Sequence, residues 1–125
     1  MTITNTKILL VEDNPDDEEL TLRALRHHNL ANDLVIARDG VEALDYLFAT
    51  GKYAEKNPDE FPQVVLLDLK LPKIDGLEVL KQMRADERTK CLPVGVLTSS
   101  NEDKDIVDSY NFGANSYGRN PVDFV

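Results

Sequence analysis

Three carboxylates stand at the ends of two apolar runs, and their types and placement indicate metal chemistry. Glu12 and Asp13 directly follow the run Ile8–Val11. Asp68 directly follows the run Val64–Leu67. Such short aliphatic runs, apolar on both faces, are typical of buried parallel strands, so all three carboxylates should reach the same carboxyl edge of one sheet. Like charges this close oppose folding unless a cation joins them, and a partly open site with oxygen ligands alone favours Mg²⁺.

Small hydroxyls follow a third apolar run and extend this chemistry. Thr98 comes directly after Val94–Leu97, and two serines follow it. A carboxylate beside a metal, with a hydroxyl nearby, suffices to receive a phosphoryl group. Asp68 would attack phosphorus, the metal would neutralise the phosphoryl oxygens, and Thr98 would hydrogen-bond one of them.

A purely structural interpretation of the same residues stays open. Asp13 and Asp68 could cap the turns that follow them while Glu12 faces water, and the segment 98–100 could cap the next helix. The placement of carboxylates at two matching strand ends favours the metal site. For Ser100 alone, the capping interpretation is preferred.

The elements that must position these groups alternate along the chain. The sequence predicts strands at 7–12, 33–38, 63–68, 93–98 and 115–119, and helices at 15–28, 40–49, 75–86 and 102–112. Asn14 stands before a proline, and Asp39 and Asp75 each stand three residues before a glutamate, as in a capping box. The alternation predicts right-handed crossovers and a doubly wound α/β sheet. The polar segment 50–62 precedes the amino end of a strand, which favours a surface insertion over an active-site lid.

Composition bounds the class of protein. The chain has 125 residues, and 14 Lys and Arg against 23 Asp and Glu give a net charge of −9, which disfavours binding to nucleic acid or to an anionic membrane. The one cysteine, Cys91, excludes an intramolecular disulfide and suits a reducing cytoplasm. The longest apolar runs are far below the ~20 residues that span a bilayer. We therefore expect one soluble, cytoplasmic domain.

With these features the sequence resembles the receiver domain of two-component response regulators, from about Lys7 to Pro121. The motifs that carry the resemblance are VEDNPDDEEL at 11–20, DGVEAL at 39–44, LLDLKLP at 66–72 and DG at 75–76. It is similar in particular to the stand-alone receivers that partner phytochrome-type histidine kinases. The resemblance implies a five-stranded parallel sheet in the flavodoxin-like order 2-1-3-4-5, with a single receiver domain at 1–125 and no output domain.

The resemblance also implies a role for each acid. Asp68 resembles the phospho-acceptor that a sensor histidine kinase phosphorylates in the presence of Mg²⁺. Glu12 and Asp13 resemble the acidic pocket that holds the ion, and the backbone carbonyl of Lys70 would complete its protein ligands. The resemblance implies a phosphoryl acceptor in a phosphorelay rather than an enzyme, with at most Mg²⁺-dependent self-phosphorylation and autodephosphorylation. It would signal to a downstream protein target through protein contacts.

The switch residues include one departure from the family pattern. Thr98 resembles the switch hydroxyl, and Tyr117 resembles the aromatic residue that changes rotamer with it. Where the family has a lysine before Pro121, this chain has Asn120, whose amide donates hydrogen bonds but carries no positive charge. Arg119 would point to the opposite face of a regular strand, so it could replace the lysine only through a bulge or a frayed strand, which Gly118 makes possible. A pseudo-receiver, which binds partners without a productive phosphorylation switch, therefore stays open as the alternative.

Two other classes of protein fit the sequence less well. A phosphohydrolase with an aspartyl nucleophile usually has a second acid two positions later, where this chain has Lys70. A flavin protein needs a turn that cradles phosphate after the first strand, whereas the acidic turn Glu12–Pro15 would repel one.

The length implies an incomplete last unit if the resemblance holds. The segment Pro121–Val125 supplies at most the first turn of the fifth helix, so we expect that helix to be missing or truncated. The sheet face beside the first helix would then expose apolar surface. Two alternatives follow: the natural chain continues, or a second copy covers that face in a homodimer.

Overall fold

The computed structural model describes residues 7–27, 33–57, 61–69, 71–97 and 116–118. The strands are β1 (Lys7–Val11), β2 (Asp33–Ala37), β3 (Val64–Asp68), β4 (Val94–Leu97) and β5 (Ser116–Gly118), and the helices are α1 (Pro15–His27), α2 (Gly40–Phe48) and α3 (Gly76–Ala85). Each begins and ends within one residue of its predicted bounds. The helix predicted at 102–112 and the segment 121–125 lie outside the described residues. None of the described helices is long and apolar enough to cross a bilayer.

All five strands are parallel and lie in the order β2-β1-β3-β4-β5, which confirms the predicted flavodoxin-like order. In this register Val11 lies opposite both Ala37 of β2 and Leu67 of β3. Leu67 in turn lies opposite Val96 of β4. The carboxyl ends of the central strands are therefore level, and the residues that follow them share one edge.

The apolar runs differ in burial: β1 is buried on both faces, whereas buried and half-buried residues alternate along β3. Every residue of Ile8–Val11 is at most 2% exposed, although alternate side chains point to opposite faces. Leu9 and Val11 belong to the main core cluster, which includes Leu47 of α2 and Met83 of α3. Continuous burial along β1 is the pattern of a parallel strand that is covered on both faces.

The two capping boxes predicted from sequence both start helices. The Asp39 side chain accepts a hydrogen bond from the Glu42 backbone N–H at 2.7 Å, and Asp75 accepts one from Glu78 at 2.9 Å. In α2 the reciprocal bond is displaced by one residue, because Glu42 accepts from the backbone N–H of Arg38 at 3.4 Å. Each aspartate satisfies a helix-end donor that would otherwise have no intrahelical partner.

The described part of the polar segment folds back along α2. It contains a short 3₁₀ helix, Gly51–Tyr53, and the Tyr53 ring meets the buried Tyr46 ring edge to face with centroids 5.0 Å apart. The Lys56 ammonium lies 4.9 Å from the centre of the Tyr46 ring, and Lys52 pairs with Glu42 at 3.0 Å. These contacts dock the segment onto the outside of α2.

The Asp75 cap gives a direct test of how α3 starts. Replacing Asp75 by alanine leaves the Glu78 N–H without its side-chain acceptor, so we expect Asp75→Ala to lower the free energy of unfolding by about 1 kcal/mol. Asp75→Asn keeps a side-chain oxygen and should stay within about 0.5 kcal/mol of the parent. Urea unfolding followed by circular dichroism measures both, and equal losses in the two variants would contradict the capping role.

Candidate functional site

The strand register brings the predicted acids together. Because Val11 lies opposite Leu67, the next residues, Glu12 and Asp68, stand side by side at the carboxyl edge. Asp13 continues from Glu12, and one carboxylate oxygen from each of the three acids lies within 4.8 Å of the others. The structure therefore places Glu12, Asp13 and Asp68 in one cluster, where three oxygens can face a single ion.

The three carboxylates differ in exposure. Glu12 is only 3% exposed, Asp68 is partly buried and Asp13 is exposed. Glu12 is also fixed at both ends: its backbone N–H donates to the Ala37 carbonyl at 2.9 Å, and its carboxylate accepts from the Asn14 backbone N–H at 3.2 Å. Glu12 thus forms a rigid inner wall, whereas the Asp13 side is open to an incoming ligand.

Burial and the neighbouring acid together change the protonation of Glu12. Desolvation, a hydrogen bond with Asp68 and the negative charge of Asp68 raise the pKa of Glu12 to about 8. The Asn14 amide lowers that pKa and the Asp17 charge raises it, both less strongly. At neutral pH without metal, Glu12 therefore keeps a proton that it shares with Asp68.

The donor atoms and the charge of the acid cluster suit a divalent metal ion. A divalent cation among the three carboxylates would take the place of the shared proton and cancel the repulsion that the register imposes. All the donors are carboxylate oxygens and one side of the cluster is open, which suits a hard cation such as Mg²⁺ that retains water. The residues present fit the predicted ion.

The start of α1 adds negative charge beside the cluster. The Asn14 side chain accepts from the Asp16 backbone N–H at 2.9 Å, so it caps α1 as predicted. Asp16, Asp17 and Glu18 occupy the first helical turn, where the helix dipole favours acids. Glu18 forms an ion pair with Arg38, which ties α1 to the loop after β2.

Sequence reasoning missed a basic residue on the loop after β3. Lys73 has a φ of 68°, a left-handed conformation that is uncommon outside glycine, and its ammonium lies 3.2 Å from the second oxygen of Asp39. The Glu42 amide, and to a smaller extent Lys73, lowers the pKa of Asp39. No local sequence pattern predicts the ion pair of Lys73 with Asp39, because the two residues are far apart in sequence.

For several predicted site residues the structure gives no side-chain contacts. Lys70, Thr98 and Asn120, together with Arg119, lie outside the described residues. Tyr117 belongs to β5, where its backbone lies opposite Val96. The switch roles expected for the hydroxyl, the aromatic residue and the amide stay predictions.

Comparison with known proteins agrees with the site. Residues 8–124 match the family model described as the response regulator receiver domain. Response regulator Rcp1 of Synechocystis is 41% identical over 110 residues, which are 88% of this chain and 73% of that protein. A manganese-bound crystal structure of Rcp1 superposes with a TM-score of 0.81 at 38% identity, covering 90% of this chain and 78% of that one.

Two further solved structures are named as phytochrome response regulators. The bacteriophytochrome response regulator AtBRR is 56% identical, with a TM-score of 0.79 over 90% of this chain and 79% of that chain. The phosphorylated cyanobacterial phytochrome response regulator RcpA is 43% identical, with a TM-score of 0.81 over 90% of this chain and 78% of that chain.

The raised pKa of Glu12 predicts how stability depends on pH. Between pH about 4.5 and about 8 the unfolded chain has released the Glu12 proton while the folded chain still holds it. Without metal, Glu12 should therefore lower the free energy of unfolding as pH rises, with a slope approaching about 1.4 kcal/mol per pH unit.

Glu12→Gln is the matched variant, because it keeps the size of the side chain and removes the titration. We expect the variant to lose this part of the slope and to be more stable than the parent at pH 7 in a chelator. Urea unfolding across this pH range measures both, and identical slopes in parent and variant would refute the assignment.

Proposed function

This chain belongs to the response regulator receiver domain family, and from that premise we propose that it accepts a phosphoryl group on Asp68 with the help of Mg²⁺. The observation that carries the proposal is the cluster of Glu12, Asp13 and Asp68, whose oxygens lie within 4.8 Å of one another. A cluster of acids that shares a proton when metal-free is suited to a cation. The partly buried Asp68 supplies the nucleophile.

The chain's own residues would divide the reaction among them. A carboxylate oxygen of Asp68 attacks phosphorus and forms an acyl phosphate, while the bond from phosphorus to the donor breaks and the donor keeps its electron pair. Glu12 is fixed by the Ala37 carbonyl and the Asn14 amide, so it would hold the ion on the buried side of the cluster. Asp13 adds a ligand at the open side. When bound, Mg²⁺ supplies the positive charge that neutralises the phosphoryl oxygens.

The proposed donor is the phosphohistidine of a sensor histidine kinase of the phytochrome type. The support is the similarity to AtBRR and RcpA, which are named as phytochrome response regulators, and to RcpA in a phosphorylated form. The chain would be a phosphoryl acceptor in the cytoplasm rather than an enzyme with a separate substrate. Its output would be a surface that a downstream protein binds.

Asn120 should limit how strongly phosphorylation changes that surface. A lysine at this position would pair its ammonium with the acceptor and later with the phosphoryl group, whereas an amide donates hydrogen bonds without a positive charge. The amide therefore lacks the Coulomb attraction that an ammonium adds toward the same anion. The proposal is therefore a receiver that is phosphorylated normally and responds weakly.

Phosphorylation is tested directly by incubating the protein with acetyl phosphate and Mg²⁺. Intact mass spectrometry should show one added phosphoryl group in the parent and none in Asp68→Asn or in the presence of a chelator. Asp86→Asn, an exchange of the same kind at the far end of α3, is the control and should be phosphorylated like the parent. An unchanged mass in the parent would defeat the proposal.

The pseudo-receiver alternative has a different test. A partner affinity that neither Asp68→Asn nor the removal of Mg²⁺ changes would support it.

The weak response is tested by restoring the charge. Asn120→Lys should be phosphorylated to the same extent as the parent but should show larger amide chemical-shift changes on phosphorylation, because the new ammonium can bind the phosphoryl oxygens. Two-dimensional NMR of both proteins with and without phosphodonor measures this. Equal responses in the two proteins would show that the missing charge does not limit the switch.

A further inference from the structure

We propose that the start of α2 is a positioning element for the acidic site, acting through Gly40 and Asp39, neither of which belongs to the acid cluster. Gly40 presses on the loop between β3 and α3 through a backbone contact, and Asp39 holds the same loop through Lys73. This inference rests on the proposed function, because it names residues that position the same site.

The far end of the loop touches the backbone of the proposed phosphoryl acceptor. The Gly76 backbone N–H donates to the Leu69 carbonyl at 3.0 Å. A Cβ atom added at Gly76 would overlap the carbonyl oxygen of Asp68 and would lie 2.6 Å from the Cα of Leu69. The loop therefore closes on itself, and a shift of its last residues must be transmitted to the backbone of Asp68.

The same loop is pressed against the first residue of α2. A Cβ atom added at Gly40 would overlap the carbonyl oxygen of Ile74 and would lie 2.8 Å from its carbonyl carbon. The contact joins backbone to backbone, so no rotamer change can relieve it. Gly40 is buried, and Ile74 is partly buried against the main core, which leaves little room for either to move away.

A second contact fixes the loop from the side. The two carboxylate oxygens of Asp39 have separate tasks: one caps α2 by accepting from Glu42 at 2.7 Å, and the other lies 3.2 Å from the Lys73 ammonium. Lys73 is the loop residue with a φ of 68°, a conformation that persists only when surrounding contacts impose it. The ion pair thus fastens a strained residue of the loop to the helix cap.

Together these contacts make the position of Asp68 depend on α2. A displacement of Ile74 is blocked on one side by Gly40 and is passed on the other side through Gly76 to Asp68. Metal binding depends strongly on how its ligands are held, and disturbing a residue that orients a ligand typically costs 10–100-fold in affinity. The start of α2 should therefore set the Mg²⁺ affinity of a site that it does not enter.

The test is Gly40→Ala, with Mg²⁺ binding measured by isothermal titration calorimetry at a temperature where circular dichroism shows the protein fully folded. We expect the dissociation constant for Mg²⁺ to rise about 10-fold. Thr89→Val is the matched control, because it removes a buried hydrogen bond to the Met83 carbonyl, of 2.6 Å, at the opposite end of α3. It should lower the melting temperature and leave the dissociation constant within about twofold of the parent.

Parent and variants are also incubated with acetyl phosphate, so that failure of the positioning role can be distinguished from failure of the proposed function. If the parent binds Mg²⁺ and is phosphorylated, and Gly40→Ala binds Mg²⁺ as tightly as the parent, the positioning role is wrong while the proposed function stands. If the parent neither binds Mg²⁺ nor accepts a phosphoryl group, both the positioning role and the proposed function are wrong. Equal weakening by Thr89→Val would also overturn the inference, since it would reduce the effect to general loss of stability.

Lys73→Met keeps the inference testable if Gly40→Ala does not fold. Removing a positive charge near an acidic site should by electrostatics alone strengthen Mg²⁺ binding, whereas releasing the loop should weaken it. Positioning predicts a dissociation constant about twofold to threefold higher than that of the parent. Lys81→Met, at an exposed lysine of α3, is the control for the charge alone. Unchanged or tighter binding by Lys73→Met overturns the inference.

Discussion

The repulsion between Glu12 and Asp68 is the constraint on which the rest of the structure depends. Parallel pairing of β1 with β3 fixes these two carboxylates beside each other, and burial of Glu12 removes the water that would screen them. Metal-free, the pair responds by keeping a proton, which is why the pKa of Glu12 rises to about 8. The fold thus holds a destabilising arrangement in place and leaves a cation as the species that relieves it.

A rigid core is needed to hold Glu12 and Asp68 beside each other against their repulsion. The inner strand β1 is buried along nearly its whole length, and α2 and α3 pack their apolar faces against the sheet. Side-chain caps fix the first turns of α1, α2 and α3, all of which begin at the edge that carries the acids. Stability is concentrated in the core, whereas the acidic edge carries the strain, as is common at functional sites.

Much of this arrangement could be predicted from the sequence because its determinants are local. Apolar runs and capping residues place each described strand and α-helix within one residue, and acids at strand ends must meet when the strands are parallel and in register. The contacts of Gly40 with Ile74 and of Asp39 with Lys73 could not be predicted, since they join residues more than 30 positions apart with no periodic signal. The left-handed backbone of Lys73 has no sequence signature either. The roles expected of Thr98 and Asn120 rest on the sequence pattern and the resemblance, because both residues lie outside the described ranges.

The contacts that position the acid cluster are made by the backbone, and this affects which residues of the chain can change during evolution. Strand register and the close approaches of Gly40 and Gly76 involve main-chain atoms, which most surface substitutions leave unchanged. The outer side of α1, where Leu20 is exposed, is free to vary in residue type without altering that register. The backbone geometry at the acidic edge and the side chains of the outer surface are therefore set by separate parts of the sequence. After gene duplication, one copy could change its outer surface while it inherits the geometry of the acid cluster intact.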